Sequence, residues 1–147
     1  MAQTKKIIGL SCGRANGNGE ILLKEALMAA EELGMQSEII RAMELRVKPC
    51  KGCEACSTAM GRGKEARCAI KDDNVPWILE KTLVEDCALI VSAPIYHLRA
   101  NSYFAAIHER MLPTMFRHPE IIKKTRVGGL FPLAVENPNG LLWVSPL

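Results

Sequence analysis

The sequence predicts an α/β fold in which a three-layer, doubly wound parallel sheet lies between helices. Two observations lead to this fold class. Short apolar runs alternate along the chain with segments of helical periodicity, and one run is apolar without alternation, as in a strand that is covered on both faces. Because strands that are separated by helices imply right-handed crossovers, we expect the strands to be parallel.

Four apolar runs are the predicted strands. They span residues 5–11, 35–42, 87–93 and 126–133. The first run ends in a stretch rich in glycine and asparagine, as expected for a buried strand that leads into a loop. The third run is followed by Pro94 and should lie centrally in the sheet because it has no polar face.

Helical periodicity predicts the elements between these strands. The predicted helices span residues 20–33, 75–83, 102–111 and 119–124. Gly34 ends the first of them, since glycine readily adopts the conformation of a helix C-terminus. Asp72 and Asp73 precede the second, where acidic side chains complement the helix dipole. A cysteine-rich loop, residues 48–68, separates the second strand from the second helix.

Composition favours one cytoplasmic domain, residues 1–147, with a Cys-rich insertion at 48–68. A chain of 147 residues can bury a core without disulfides. The net charge of +3 comes from scattered basic residues, which excludes a dedicated nucleic-acid partner. Apolar runs fall far short of the ~20 residues of a membrane span. The N-terminus also lacks the pattern of a signal peptide.

The loop after the first strand has the composition of a phosphate-binding loop. Its glycines let backbone N–H groups point inward, and the following helix dipole adds positive potential. The candidate phosphate-binding residues are Ser11, Cys12, Arg14, Asn16, Gly17 and Asn18. The loop matches neither the Walker nor the dinucleotide-binding pattern. Glycine and asparagine also build ordinary turns, but the position after the first strand favours phosphate.

The loop after the third strand is the second candidate. In the flavodoxin-like strand order, 2-1-3-4, loops after the first and third strands meet at the topological switch point. This loop could bind a flat heteroaromatic ring such as a flavin, because it supplies an aromatic residue, an imidazole and backbone amides. The candidate residues are Pro94, Ile95, Tyr96 and His97. Tyr96 and His97 alone are typical of ordinary loops, but the two loops support each other because the fold brings them together.

The cysteines indicate metal or redox chemistry rather than disulfides, because a cytoplasmic protein is kept reduced. The candidate metal ligands are Cys50, Cys53, Cys56 and Cys68. Three of them form a C-x2-C-x2-C run, and the fourth follows after eleven residues. This pattern favours a [4Fe-4S] cluster, although four sulfurs also satisfy tetrahedral zinc. Cys12 and Cys87 are predicted to pack in the interior.

Together these segments resemble the NADPH-dependent FMN reductase superfamily and, within it, the iron-sulfur flavoproteins. The resemblance runs from about residue 5 to residue 129 and is carried by residues 7–20, 48–56, 68–73, 92–96 and 109–110. It implies a flavodoxin-like fold with the FMN phosphate on the first loop and the isoalloxazine ring against Pro94, Ile95 and Tyr96. It also implies a [4Fe-4S] cluster on the clustered cysteines and a homo-oligomer, either a dimer or a tetramer.

The chain departs from the pattern of this family at several positions. The gap before Cys68 is longer than in the compact family motif, and Gly19 stands where the family has threonine. Ala105 and Glu109 replace a lysine and an aspartate that often precede the arginine of the third helix. By default, Glu109 and Arg110 are expected to form a solvated helix end.

The sequence thus favours an FMN-dependent NAD(P)H oxidoreductase or electron-transfer flavoprotein. Its partner would be a nicotinamide nucleotide or a redox carrier. We assign no catalytic side chain, because in such a site the cofactor performs the chemistry and the protein supplies orientation and hydrogen bonds. Two alternatives stay open: a flavodoxin-like binding module with structural zinc, and a truncated, inactive reductase. The second arises because residues 130–147 depart from the family, whose sheet has a further last strand.

Overall fold

A sheet with four parallel strands organises the chain. The computed structural model describes residues 6–121 and the backbone of residues 127–134. The strands are β1 (Lys6–Ser11), β2 (Gln36–Arg41), β3 (Cys87–Tyr96), β4 (Arg99–Ala100) and β5 (Val127–Ala134). The helices are α1 (Asn18–Glu32), α2 (Ala55–Gly61), α3 (Val75–Leu79), α4 (Ser102–Glu109) and α5 (Leu112–Arg117). A 3-10 turn (Ala42–Glu44) follows β2, and a π-helical turn (Glu80–Val84) continues α3.

The register of the strands confirms the predicted order. Ser11 of β1 lies beside Arg41 of β2 on one side and Ser92 of β3 on the other. The far edge of β3 pairs in parallel with β5, so the parallel order is β2-β1-β3-β5. This is the flavodoxin-like 2-1-3-4 order, with the predicted fourth strand in place. The short β4 pairs antiparallel with the end of β3.

Helices cover both faces of the sheet because both faces carry apolar side chains. On one face, Ile7 packs with Leu23 and Leu27 of α1. The next residue of the strand, Ile8, points to the opposite face and joins a larger cluster with Ile78 of α3. This alternation is the ordinary geometry of a strand. None of the helices in the described parts of the chain is long and apolar enough to cross a membrane.

Two helices were not expected from the sequence, and two expectations extend beyond the described residues. The predicted loop at 48–68 contains α2, whose sequence carries no clear apolar stripe. A separate helix, α5, begins after the predicted third helix, with Pro113 in its first turn. Of the predicted helix at 119–124, residues 119 and 120 form a turn and residues 122–124 lie outside the described residues, as does the tail from residue 135.

Candidate functional site

One asparagine joins the two candidate loops at the carboxyl ends of β1 and β3. The Asn101 Nδ2 donates to the Cys12 carbonyl over 2.6 Å, and the Asn101 backbone N–H donates to the Pro94 carbonyl over 2.9 Å. Its Oδ1 accepts from the Phe104 N–H at 3.3 Å and so caps α4. Cys12 N–H in turn donates to the Ser92 carbonyl at 2.8 Å. The expected meeting of the two loops is therefore present, and a buried side chain fixes it.

The first loop leaves polar groups available around the start of α1. Ser11 is fully buried, and its Oγ has no hydrogen-bond partner within the described residues. No described side chain caps α1, so the N–H groups of its first turn have no partner from the helix itself. Arg14, Asn16 and Asn18 are exposed beside this turn. A Cβ on Gly17 would lie 2.9 Å from Arg14 Cγ, so the loop needs glycine there.

Cys12 contributes to this site through its backbone rather than its thiol. The side chain is fully buried in the larger core cluster, and burial raises the pKa of the thiol to about 12. A thiol with such a pKa is unreactive near neutral pH. Cys87 is half-buried against the same cluster, and burial, together with the nearby Glu85, raises its pKa as well. Both positions match the predicted packing role.

A buried carboxylate supports the first loop from behind. Glu20, in the first turn of α1, accepts a two-nitrogen contact from Arg41 at the end of β2, with distances of 3.0 to 3.2 Å. Lys24 pairs with the same carboxylate at 2.8 Å and donates to Asn16 Oδ1 at 3.1 Å. Hydrogen bonding from Arg41 outweighs burial and lowers the pKa of Glu20 to about 2. An acidic residue in a first helical turn was the main sequence signal for this network.

The second loop is a hairpin rather than the open loop expected from the sequence. β3 continues through Pro94 to Tyr96, and β4 returns after a two-residue turn. The turn residues His97 and Leu98 have φ values of 49° and 63°. Such turns favour asparagine and glycine because both central residues adopt positive φ. Leu98 is 93% exposed and Tyr96 is 53% exposed, so the hairpin presents apolar surface beside the first loop.

Leu98→Gly is expected to raise the free energy of unfolding by about 1 kcal/mol, since glycine adopts positive φ without the steric cost of a Cβ. Urea denaturation measures the change. The matched control is Leu33→Gly, which removes a leucine that is 84% exposed at a φ of −87°. Glycine relieves no backbone strain at this negative φ, so the control substitution should leave the free energy of unfolding unchanged or lower it. Equal effects of the two substitutions would contradict strain at Leu98.

The four predicted metal ligands are not gathered in this structure. Cys50 and Cys53 are exposed, Cys56 lies in the first turn of α2, and Cys68 is half-buried after it. All four are free thiols, a donor chemistry that suits iron-sulfur or zinc sites. Within residues 6–121, however, no three Cys, His, Asp or Glu side chains come close enough to hold a metal ion. The donor types fit a cluster, whereas their placement does not.

The prediction that Glu109 and Arg110 form a solvated helix end is confirmed for Glu109, which is exposed, and is wrong for Arg110. Arg110 is only 2% exposed. Its guanidinium pairs with the buried carboxylate of Asp73, with one contact at 3.0 Å, and donates to the carbonyls of Lys48 at 3.0 Å and Ile70 at 3.2 Å. A buried arginine is tolerated here because a carboxylate and two carbonyls accept from its two terminal nitrogens, whereas its Nε has no hydrogen-bond partner within the described residues. These partners are far away in sequence, which is why the local pattern did not reveal them.

Known proteins with similar sequences are iron-sulfur flavoproteins. No family model matches the chain. An iron-sulfur flavoprotein of Methanocaldococcus jannaschii is 33% identical over 136 residues, which cover 92% of this chain and 65% of that protein. An iron-sulfur flavoprotein of Methanosarcina thermophila is 29% identical over 136 residues, which cover 92% of this chain and 66% of that protein. The chain thus spans slightly less than two thirds of the length of these relatives.

Two solved structures share the fold. A flavone reductase superposes with a TM-score of 0.58 at 30% identity, over 80% of this chain and 33% of that one. RosB, solved with 8-demethyl-8-formylriboflavin-5'-phosphate bound, superposes with a TM-score of 0.54 at 21% identity, over 73% of this chain and 42% of RosB. At this identity the similarity supports the fold alone. The sequence relatives, the flavone reductase structure and the strand order support a family of the NADPH-dependent FMN reductase and iron-sulfur flavoprotein type for this chain.

Proposed function

We propose that the chain is an FMN-binding oxidoreductase that takes electrons from a nicotinamide nucleotide or a redox carrier. The observation that carries this proposal is the junction of the two loops through Asn101 at the carboxyl ends of β1 and β3. Ligands of doubly wound sheets bind at this edge. The names of the relatives, iron-sulfur flavoprotein and flavone reductase, support a flavin as the ligand. The family resemblance supports a dimer or a tetramer, which sedimentation velocity tests.

The first loop is the proposed phosphate end of the site. The buried Ser11 hydroxyl lacks a partner among the described residues, and the first turn of α1 has no side-chain cap. Arg14 lies exposed beside them and supplies positive charge. Such an arrangement of N–H groups, a hydroxyl and a guanidinium suits a phosphate monoester. The full proposed set is Ser11, Cys12, Arg14, Asn16, Gly17 and Asn18, with Cys12 acting through its backbone.

The second loop is the proposed ring end. Pro94, Ile95, Tyr96 and His97 would lie against the isoalloxazine, with their apolar surface excluding water from it. The two ends adjoin, because a Cβ on Gly13 would lie 3.1 Å from Pro94 Cγ. When bound, FMN supplies hydride and single-electron chemistry, which the side chains of the protein lack. The residues of this chain bind and orient it.

Arg14→Met tests the phosphate end. We expect the Kd for FMN to rise about tenfold, because a charge-assisted hydrogen bond to phosphate contributes roughly 1.5–3 kcal/mol. The Kd for riboflavin, which has no phosphate, should stay unchanged. Fluorescence titration measures both. Arg62→Met, at an exposed arginine after α2, is the matched control and should leave both constants unchanged. Absence of FMN binding by the unmodified chain would overturn the proposed function.

We further propose Cys50, Cys53, Cys56 and Cys68 as ligands of a [4Fe-4S] cluster. Their spacing and the names of the relatives support this. Because the four thiols lie apart here, the segment must close for them to share one metal group. Anaerobic reconstitution, with iron and sulfide analysis and EPR, tests the proposal. One zinc per chain without iron would instead indicate a structural zinc site.

A further inference from the structure

We infer that Arg110 is a positioning residue that fixes both ends of the cysteine segment, defined as residues 48–70, against the end of α4. This inference rests on the proposed function only in that the cysteines have a role there. It concerns where the thiols are held, and metal-free protein is enough to test it.

The contacts of the guanidinium carry the inference. One nitrogen donates to the Lys48 carbonyl, and another donates to the Ile70 carbonyl. Both also bond to Asp73, whose side chain is fully buried. A planar guanidinium has five N–H donors in a fixed fork, so one side chain can bind two backbone segments and a carboxylate at once. The two ends of the cysteine segment therefore share one anchor.

The anchor lies next to the cysteines at both ends of the segment. Cys50 follows Lys48 by two residues, and Cys68 precedes Ile70 by two. The guanidinium is buried at this anchor, where both terminal nitrogens bond to the Asp73 carboxylate. Between the two ends of the segment, Cys53 is exposed and Cys56 is half-buried.

The helix α4 connects this anchor with the two loops of the proposed flavin site. Asn101 caps its start and bonds to the Cys12 carbonyl, and Arg110 follows its last residue. Because a helix of this length is stiff, its two ends keep a fixed separation. Arg110 therefore fixes the ends of the cysteine segment relative to the loop junction as well as relative to each other.

The test compares Arg110→Met and Arg110→Lys in the full, metal-free chain with FMN added. Maleimide labelling, resolved by peptide mapping, gives a rate for each cysteine. We expect Arg110→Met to raise the Cys68 rate about tenfold or more, since labelling of a protected thiol follows local opening. Arg110→Lys keeps the charge but loses the fork, so a smaller rise of about threefold is expected. The rates of Cys12, which is buried, and Cys87, which is half-buried, should not change because both lie outside the segment.

Arg62→Met serves as the control, because it removes an exposed arginine from the same segment and should leave all rates unchanged. An unchanged Cys68 rate in both Arg110 variants would overturn the inference. A parallel rise at Cys12 and Cys87 in both variants would also overturn it, since that pattern shows general unfolding. If Arg110→Met does not fold, Arg110→Lys decides by the same criteria. Failure of the unmodified chain to bind FMN would overturn the proposed function and leave this comparison readable.

Discussion

Replacing Glu20 with glutamine is expected to lower the free energy of unfolding by about 3 kcal/mol at neutral pH, the value that corresponds to the lowered pKa of this buried carboxyl. The side chain is fully buried and pairs with Arg41 and Lys24. Glutamine keeps the size but not the charge, so both cations lose their counter-ion. Urea denaturation measures the loss. Glu25→Gln, at an exposed position of α1, is the matched control and should change stability by less than about 0.5 kcal/mol.

The pH dependence of this difference has a definite sign. The pKa of Glu20 falls from an ordinary 4.5 to about 2 in the folded protein, so folding favours the ionised form. Its contribution is fully present above pH 4.5 and is lost as the pH falls towards 2. The gap in stability between the unmodified chain and Glu20→Gln should therefore close over this range. A gap that stays constant down to pH 2 would contradict the assignment of the shift to Glu20.

The strand order and the positions of the two loops could be predicted because they depend on local patterns. A strand that is buried on both faces needs apolar residues throughout, as in β3, and α1 needs an apolar stripe. Once the strands were placed, the rule that loops meet at the switch point put Ser11 and Pro94 near each other. The structure places the two loops together as expected.

The polar contacts that hold the site together could not be predicted in this way. Asn101 bonds to Cys12 across 89 positions of sequence, and Arg110 pairs with Asp73 across 37. No local period marks such pairs, so Arg110 looked like an ordinary charged residue at a helix end. The hairpin was missed for a related reason. His97 and Leu98 occupy a turn that normally calls for asparagine and glycine, so the usual sequence signal is absent.

Asn101→Ala is expected to weaken FMN binding about tenfold and to lower the free energy of unfolding by about 2 kcal/mol, because it removes a helix cap and a buried hydrogen bond. Alanine cannot accept from the Phe104 N–H or donate to the Cys12 carbonyl. The first loop would then lose its side-chain link to α4. Titration with FMN and urea denaturation measure the two effects. This variant alone does not separate the cap from the link.

Asn101→Asp and Asn101→Ser separate the cap from the link. Both keep an oxygen that can cap α4, so both should retain more stability than Asn101→Ala. Serine is too short to reach the Cys12 carbonyl, whereas aspartate places an anionic oxygen where the amide nitrogen now lies 2.6 Å from that carbonyl. If the link positions the phosphate loop, FMN binding should fall in both variants and fall further in Asn101→Asp. Full FMN affinity in both would mean that Asn101 serves α4 alone, and that the two loops meet without it.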